Sequence, residues 1–475
     1  MIALLLILTP FATGLLSFVM TKGNFAKNFS LLASIAIAVL AILALNEPVA
    51  PTFDVAWLNN LGSRFTLKMD GMSKMLCLLT AVSFPLIFTA VYKNEYKNPA
   101  SFFGLMLLTQ AGLMGVFLAA DALLFYFFWE FALIPVYFLC SIWGGEKRIQ
   151  VTFKFFIYTF LGSLLMLAGI LYLYFHTANH SFAIQSFYQI SLSGKEQAFI
   201  FWLFFIAFAI KMPIFPFHTW QPDAYEQSPT ATTMVLSGIM VKMGLFAVLR
   251  WLLPIFPLAT VQFSNIIILF SVIGMIYASL IAIRQDDIKR LIAYSSIAHI
   301  GLMSAAIFSG NKTGLEGVMI QMFNHGINVI GLWIIADLIE QQLGTRKMSE
   351  MGGLAQKAPT MAVLFVLMAF ANVALPLTNA FVGEFLMFSG LFRVNLVIAA
   401  VAGLSIILAA VYTLNMVQKV LYGEVSTTVS NAVEISFNAK LALILIAFAI
   451  IALGVFPQPM IDLTKDSVVG LIIKK

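Results

Sequence analysis

Apolar residues follow one another along this chain in runs of roughly twenty, separated by short polar segments. A helix rises about 1.5 Å per residue, so about twenty apolar residues can cross the hydrocarbon core of a membrane. The pattern therefore predicts an all-α polytopic membrane protein with about fourteen transmembrane helices. The predicted spans are residues 2–20, 29–45, 71–92, 101–119, 121–143, 152–175, 198–219, 229–252, 262–284, 289–308, 315–339, 359–392, 396–420 and 437–456.

Proline interrupts two of these spans. Pro213 and Pro216 lie in the seventh, and Pro376 lies in the twelfth. Because proline has no N–H, we expect Pro213 to free the carbonyl of Ala209. In lipid, freed backbone groups are tolerated only where protein or water satisfies them. The two breaks lie five spans apart, and an odd offset inverts the chain direction, which predicts two inverted five-helix repeats, each with a discontinuous helix.

These repeats divide the chain into four predicted parts. They are an N-terminal three-helix segment at 1–100, a first five-helix repeat at 101–252, a second at 253–421, and a final helix with a C-terminal tail at 422–475.

Basic residues are unevenly distributed between the predicted loops. Loops after odd-numbered spans carry fifteen of the 27 Lys and Arg residues, whereas loops after even-numbered spans carry six. By the positive-inside rule, the odd-numbered loops face the cytoplasm and both termini lie outside it. Lys22 and Lys27 follow the first apolar run rather than precede it, so we expect a retained span and not a cleaved signal.

The composition narrows the classes of function. With 61% hydrophobic and 10% charged residues, the chain has little room for a soluble domain. Its net charge of +6 does not indicate nucleic acid, because the basic residues lie in short loops. Cys77 and Cys140 stand alone, so disulfide, zinc and iron–sulfur sites are unsupported, and no glycine-rich nucleotide motif is present. We therefore expect no cofactor and no metal in this chain.

Four ionisable side chains lie deep in four different predicted spans: Glu130, Lys211, Lys242 and Glu384. A charge at the centre of a bilayer costs about 2.5–3.5 kcal/mol even on the mildest scale. Two acids and two lysines are neutral together, but their burial is tolerable only if they meet in space. The alternative is a structural ion pair with lysines that snorkel to the interface, which suits Lys242 least because it is the most central.

Four further side chains are candidates. His299 and His325 lie at similar depth in the tenth and eleventh spans, where a hydrogen-bonded core histidine is the alternative to a functional one. His218 and Asp223 follow the break in the seventh span and are secondary candidates for proton entry, with helix-end packing and capping as the alternatives.

A buried series of Glu, Lys, Lys, His and Glu is suited to carrying protons. Movement of Lys211 away from Glu130 would remove its counter-charge and favour proton release toward Lys242, and Glu384 could receive and discharge the proton. Sodium sites need oxygen ligands, so lysines make protons the simpler cargo. His299 and His325 are the histidines deep within spans, and nothing indicates paired haem ligation, so a cytochrome is excluded.

Several motifs resemble one known family. IKMPIFPFHTWQPDAYEQSPT at 210–230, SGIMVKMG at 237–244, QDDIKRLIAYSSIAHIG at 285–301, Trp129–Glu130 and NHG at 324–326 are similar to the antiporter-like subunits of proton-pumping NADH:quinone oxidoreductase. The resemblance extends over spans 4 to 13. One departure is the presence of Gln221 and Tyr225 where many relatives have leucine and histidine.

The resemblance implies a role for each buried group. It implies a Glu130–Lys211 pair, Lys242 as the central proton carrier, His299 and His325 on the connecting axis, and Glu384 as the terminal residue. It also implies a bacterial inner membrane, L- and N-type paralogues as partner subunits, and NADH, FMN, iron–sulfur clusters and quinone on partner subunits only.

Two functions remain open within this resemblance. One is a non-redox, proton-translocating subunit of the oxidoreductase, and the other is an Mrp-type cation/proton antiporter subunit. Glu384 resembles the M-type members, because L- and N-type chains and many Mrp chains have lysine there. The L-type chain also carries a long lateral helix, for which we expect no room after Phe456.

Overall fold

The structure is a computed structural model that describes residues 1–20, 23–47 and 51–472, without the side chains of 51 and 52. Lys22 and the C-terminal Lys474 and Lys475, which entered the charge comparison, lie outside the described residues. Within the described part, eleven helices are long and apolar enough to cross a membrane. The chain is therefore a multi-pass membrane protein.

Helices in the first half of the chain match the predicted spans closely. They are α1 (Ile2–Ser17), α2 (Gly23–Ala44), α3 (Gly71–Ala90), α4 (Pro99–Leu118), α5 (Ala122–Trp143), α6 (Arg148–His176), α7 (Ile184–Tyr188), α8 (Gly194–Lys211) and α9 (Gln221–Gln227).

The predicted eighth span is one long helix, Thr230–Ile255, which we call the Lys242 helix. It consists of α10 (Thr230–Val235), a π-helical turn (Leu236–Met240), α11 (Val241–Ala247), a second π-helical turn (Val248–Leu252) and α12 (Leu253–Ile255).

The remaining helices complete the bundle. They are α13 (Pro257–Arg284), α14 (Ile288–Phe308), α15 (Lys312–Leu343), α16 (Leu354–Lys357), α17 (Pro359–Asn372), α18 (Asn379–Val394), α19 (Leu396–Leu421), α20 (Phe437–Val455) and α21 (Gln458–Val469). A helix lies at every predicted span. The interrupted twelfth span contains two, α17 and α18, whereas the interrupted seventh contains α8 and is followed by α9. Because α1 and α17 are apolar but short, the count of fourteen stays a prediction.

The prediction of a purely α-helical chain is wrong at one place. Strands β1 (Pro51–Leu58) and β2 (Ser63–Lys68) form an antiparallel hairpin. Large side chains alternate along β1 at Phe53, Val55 and Trp57, which is the period of a strand with one packed face. Trp57 of β1 and Phe65 of β2 pack on α5, with centroid distances of 5.7 Å to Phe127 and 6.1 Å to Phe128.

Asp121 joins this hairpin to the bundle. It is the N-cap of α5, where its carboxylate accepts the backbone N–H groups of Leu123 and Leu124 at 3.0 and 3.1 Å. The same carboxylate accepts the hydroxyl of Ser63 at 2.9 Å and the backbone N–H of Arg64 at 3.1 Å. One buried side chain thus caps the start of α5, directly after α4, and holds β2 against it.

We predict that Asp121→Ala will loosen the hairpin. The variant loses a helix cap, worth about 1 kcal/mol, and leaves the buried Ser63 hydroxyl without its acceptor. Trypsin should then cut faster after the exposed Arg64 in purified protein.

Asn395→Ala is the matched control, because Asn395 caps α19 through the N–H groups of Val397 and Ile398 far from the hairpin. It should lose similar stability without faster cleavage at Arg64. Equal cleavage rates in Asp121→Ala and wild type would contradict the assignment.

Candidate functional site

The Lys242 helix and α15 cross at the centre of the bundle, where both are enclosed by protein. Gly238 and Gly326 form the crossing point. A β-carbon on Gly326 would lie 2.8 Å from the carbonyl oxygen of Gly238, closer than real contacts allow. Absence of side chains at these two positions therefore brings the backbones together and places His325 beside Lys242.

The π-helical turn Leu236–Met240 orients the lysine. In an α-helix, a residue five positions after Ser237 would point about 140° away from it. The wider turn removes most of this rotation, and Lys242 Nζ donates to the Ser237 carbonyl oxygen at 2.7 Å. Lys242 is completely buried, so this carbonyl is one of only a few polar groups that can hold its ammonium.

A series of side chains connects Lys242 to Glu384. Lys242 Nζ lies 2.8 Å from His325 Nδ1, and the rings of His325 and His299 have centroids 5.5 Å apart. His299 Nδ1 lies 3.0 Å from Glu384 Oε1, at ion-pair distance but outside hydrogen-bond geometry. Four predicted residues from four helices are thus brought together in one buried row.

Glu130 and Lys211 are brought close but do not form a direct ion pair. Lys211 Nζ has no hydrogen-bond partner among the described residues and lies 5.5 Å from the ring centroid of Trp129. The half-buried Glu130 is near enough to Lys211 for an electrostatic interaction and lies beside Ser163 of α6. The structure thus has the two charges as neighbours, in a geometry looser than that of a salt bridge.

The first break follows Lys211 directly, because α8 ends at this residue. A cation at a helix C-terminus is favoured by the partial negative charge there. The Ala209 carbonyl, which Pro213 cannot bond, accepts the N–H of Ile214 at 3.2 Å instead. The Ile210 carbonyl accepts Nε1–H of Trp220 at 3.0 Å, so protein groups satisfy the broken ladder.

The second break separates α17 from α18. Ala374 and Leu377, on either side of Pro376, have positive φ values of 53° and 74°, which are strained for residues with a β-carbon. Glu384 lies in the second turn of α18, after the break. The two breaks therefore present opposite ends: a lysine at a helix C-terminus and a glutamate close to a helix N-terminus.

Amide side chains line the second break. Asn324 Nδ2 donates to the carbonyl of Asn379 at 2.7 Å, and Asn328 Nδ2 donates to its side-chain oxygen at 2.8 Å. These buried bonds hold α15 against the start of α18. Because His325 lies between the two donors in sequence, the same contacts fix its part of α15.

The secondary candidates lie apart from this row. His218 is buried, with its ring 5.8 Å from that of Phe215 and 5.4 Å from that of Tyr277 between centroids. Asp223 forms ion pairs with Lys154 at 2.8 Å and Arg290 at 3.2 Å. Neither contacts Lys211 or Lys242 in the described structure.

Burial alone would raise the pKa of Asp223, but hydrogen bonds and the charges of Lys154 and Arg290 outweigh it and lower the pKa below its ordinary value. The carboxylate is therefore ionised and paired at neutral pH. Glu226 binds the same Arg290 at 2.8 Å and Arg346 at 3.1 Å, which extends the ion pairs across the loops at this end of the bundle.

Sequence reasoning missed two features of the site. Ser237 contributes through its backbone carbonyl, which no residue pattern reveals. Lys289, the first residue of the predicted tenth span, is buried in α14. Across the described residues, no three His, Cys, Asp or Glu side chains are grouped as metal ligands.

We predict that Asp223→Asn will keep proton transfer and lose a little stability. Partly exposed ion pairs are worth about 0–1 kcal/mol, so the melting temperature at pH 7 should fall slightly. The folded pKa of Asp223 is lowered, so its stabilisation is present above the unfolded pKa of about 3.9 and disappears as the pH falls below it.

The measurement is a thermal melt of wild type and variant between pH 7 and pH 3, beside a proton-pumping assay in vesicles. We expect the melting temperatures of wild type and variant to converge as the pH is lowered toward 3. A variant that folds normally but cannot pump would return Asp223 to the proton path.

Comparison with known proteins shows the family to which the chain belongs. A family model described as "NADH:quinone oxidoreductase/Mrp antiporter, TM" matches residues 119–410. NADH-quinone oxidoreductase subunit M of Rickettsia typhi is 37% identical over 428 residues, covering 88% of this chain and 85% of the relative. Subunit M of Escherichia coli is also 37% identical, over 431 residues and with 88% and 84% coverage.

A solved structure shares the whole fold. A chain of respiratory complex I from Thermus thermophilus superposes with a TM-score of 0.91 at 28% identity, covering 99% of this chain and 100% of that chain. The chain therefore belongs to the NADH:quinone oxidoreductase/Mrp antiporter transmembrane family, and the resemblance to its M-type members that the motifs predicted is confirmed.

Proposed function

We propose that this chain is a proton-translocating membrane subunit of an NADH:quinone oxidoreductase. The observation that carries the proposal is the buried row Lys242–His325–His299–Glu384, in which neighbouring groups lie within contact or near-contact distance. Ionisable groups at this depth are costly and are usually functional. The names of the M-type relatives support the choice of complex.

Each group in the row has a chemical role in the proposal. Lys242 gives a proton to His325 Nδ1 across 2.8 Å. A histidine can accept a proton on one ring nitrogen and release one from the other, so His325 and His299 relay it. Glu384 then takes the proton near His299 Nδ1 and discharges it beyond the row.

Glu130 and Lys211 control the first half of the path. In the proposal, the negative charge of Glu130 stabilises a proton on Lys211, and a change in their separation alters that stabilisation. The loose, unbonded geometry of this pair supports a movable contact, because a tight salt bridge would resist separation. Lys211 is the last residue of α8 and directly precedes the break, which allows such movement.

The rest of the assembly supplies the energy. We propose that NADH, FMN, iron–sulfur clusters and quinone act on partner subunits, that L- and N-type chains are neighbours, and that this chain has no redox site. We also propose that the chain crosses a bacterial inner membrane about fourteen times, with both termini outside the cytoplasm. In this proposal the two inverted repeats are residues 101–252 and 253–421, and the flanking parts are residues 1–100 and 422–475.

An Mrp-type cation/proton antiporter subunit is the alternative. It is favoured by the shared fold with a chain of the Mrp complex from Dietzia sp. DQ12-45-1b, with a TM-score of 0.88 at 21% identity and coverage of 52% of that chain. Glu384, in place of the lysine of many Mrp chains, favours the oxidoreductase. Co-purification from native membranes with NADH-oxidising subunits or with small antiporter chains distinguishes the two.

We predict that Lys242→Met will assemble but lower proton pumping by about tenfold or more, the scale of a lost proton-transfer group. Methionine fills a similar buried volume but carries no proton. The measurement is NADH-driven proton pumping in vesicles, relative to the amount of assembled complex.

Lys74→Met is the matched control. Lys74 is also buried in a predicted span, but its Nζ donates to the carbonyls of Leu45 and Glu47 at 2.9 and 2.5 Å, away from the row. It should reduce stability without reducing pumping per assembled complex. Normal pumping by Lys242→Met would end the proton-carrier assignment.

We also predict that Glu130→Gln will lose pumping, because Lys211 keeps its surroundings but loses its counter-charge. Glu130→Asp, which retains the charge on a shorter side chain, should keep part of the activity. If Glu130→Gln pumps as wild type and only its stability changes, a structural role for the pair is the better explanation.

A further inference from the structure

A polar mouth opens at the end of the bundle that carries the loops 144–147, 285–287 and 344–353. Its cavity has a volume of about 690 Å³, and its walls include Glu226, Asp287 and Arg346. These loops are bound to their neighbours, since Met348 N–H donates to the Asp286 carbonyl at 2.8 Å and Gly145 N–H donates to the Gln227 carbonyl of α9 at 2.7 Å. The mouth is therefore a built cavity and not a gap between loose segments.

Lys289 and Glu340 form the floor of this mouth together with Thr230. Lys289 is only 3% exposed, forms an ion pair with Glu340 and donates from Nζ to the Thr230 hydroxyl at 2.9 Å. Asp337 lies beside both Lys289 and Thr230. A buried lysine thus contacts the accessible Glu340 on one side and the start of the Lys242 helix on the other.

Hydroxyl groups continue from this floor toward Lys242. Thr230, Thr233 and Ser237 are spaced i, i+3 and i+7, which puts them on one face of the helix. The π-helical turn Leu236–Met240, which contains Ser237, returns Lys242 to this face, as its bond to the Ser237 carbonyl shows. Without the extra residue of this turn, the face would lead away from the lysine.

Unpartnered buried groups lie beside the same face. The Tyr225 hydroxyl and the polar atoms of the Gln221 side chain lie near one another, but none of them reaches full hydrogen-bond geometry with a described group, and both residues are completely buried. The Tyr225 backbone adjoins the hydroxyl face, because its carbonyl accepts Thr233 Oγ1 at 3.2 Å, and its ring packs against Trp220 and Trp333. Buried polar groups of this kind are normally satisfied by water. This region therefore suits water molecules that connect the hydroxyls.

We propose that Lys289 and Glu340 are a proton-transfer pair that loads Lys242 from this mouth. The inference rests on the proposed function and adds the entry point, in place of His218 and Asp223. His218 packs against the rings of Phe215 and Tyr277, and neither it nor Asp223 lines the mouth. Glu340, which Arg346 also approaches at 3.8 Å, does line the mouth, and Lys289 reaches the Lys242 helix.

The transfer balances as a relay. Glu340 takes a proton from water in the mouth and passes it to neutral Lys289, which has just released one of its own. That released proton moves through the Thr230 hydroxyl and water along Thr233 and Ser237 to a neutral Lys242. One proton enters the mouth for each one that reaches Lys242, and Glu340 and Lys289 return to their starting charges.

Lys289→Arg is the decisive variant, tested in the assembled complex in membrane vesicles. Arginine keeps the positive charge and the ion pair with Glu340 but does not release its proton. We expect a normal amount of assembled complex with NADH-driven proton pumping about tenfold lower. Glu340→Gln should give a similar loss, because glutamine cannot carry the proton from the mouth.

Lys74→Arg is the control for replacing a buried lysine by the larger arginine, and it should leave pumping unchanged. If Lys289→Arg pumps as wild type while Lys289→Met fails to assemble, the pair is a structural bridge and the inference is overturned. If Lys242→Met also pumps normally, the proposed function itself fails. Loss in Lys242→Met with normal pumping in both Lys289→Arg and Glu340→Gln overturns only the entry site.

Discussion

Placement of a lysine at the centre of a membrane bundle is the constraint on which the rest of this structure depends. Lys242 is completely enclosed, and its ammonium has two polar neighbours, the Ser237 carbonyl and His325. Desolvation of an isolated charge costs several kcal/mol, so these two groups must be held accurately. The π-helical turn and the crossing with α15 provide that accuracy, and both would be unnecessary around a leucine.

The two broken helices extend this arrangement to either side. Helix ends carry partial charges, and a broken helix exposes them at mid-depth where an intact one would not. Lys211 uses a helix C-terminus, whereas Glu384 lies close to a helix N-terminus after the second break. The backbone bonds and tryptophan donor at the first break, and the asparagines at the second, satisfy polar groups that lipid could not.

Much of this architecture could be predicted from the sequence, because the penalties of the bilayer are strong and local. The positions of nearly all helices follow from apolar runs, both breaks follow from proline, and the six principal site residues stand out as ionisable groups in apolar surroundings. The structure brings each of the six near at least one other: Glu130 lies near Lys211, and the other four form one row. The finer geometry could not be predicted, since Ile214 satisfies the Ala209 carbonyl and Glu130 interacts with Lys211 without a direct ion pair.

Other features could not be read from residue types. The hairpin at 51–68 is short, and its alternating side chains give a weaker signal than the long apolar runs of the neighbouring helices. Burial of Lys289 depends on how the loops after α13 and α15 fold together, and a lysine near a span end looks the same whether it faces water or Glu340. The partner of Lys242 in its own helix is a backbone oxygen, whose availability depends on a local change in helix type.

The contact between Gly238 and Gly326 has a mechanical consequence. Two helices whose backbones touch cannot approach one another further at that point, since the carbonyl oxygens already occupy the space. The contact can therefore serve as a pivot about which the helices tilt. A push from neighbouring subunits would therefore barely change the distance between Lys242 and His325. The displacement caused by the same tilt grows with distance from the pivot and is greatest for the outer groups of the bundle.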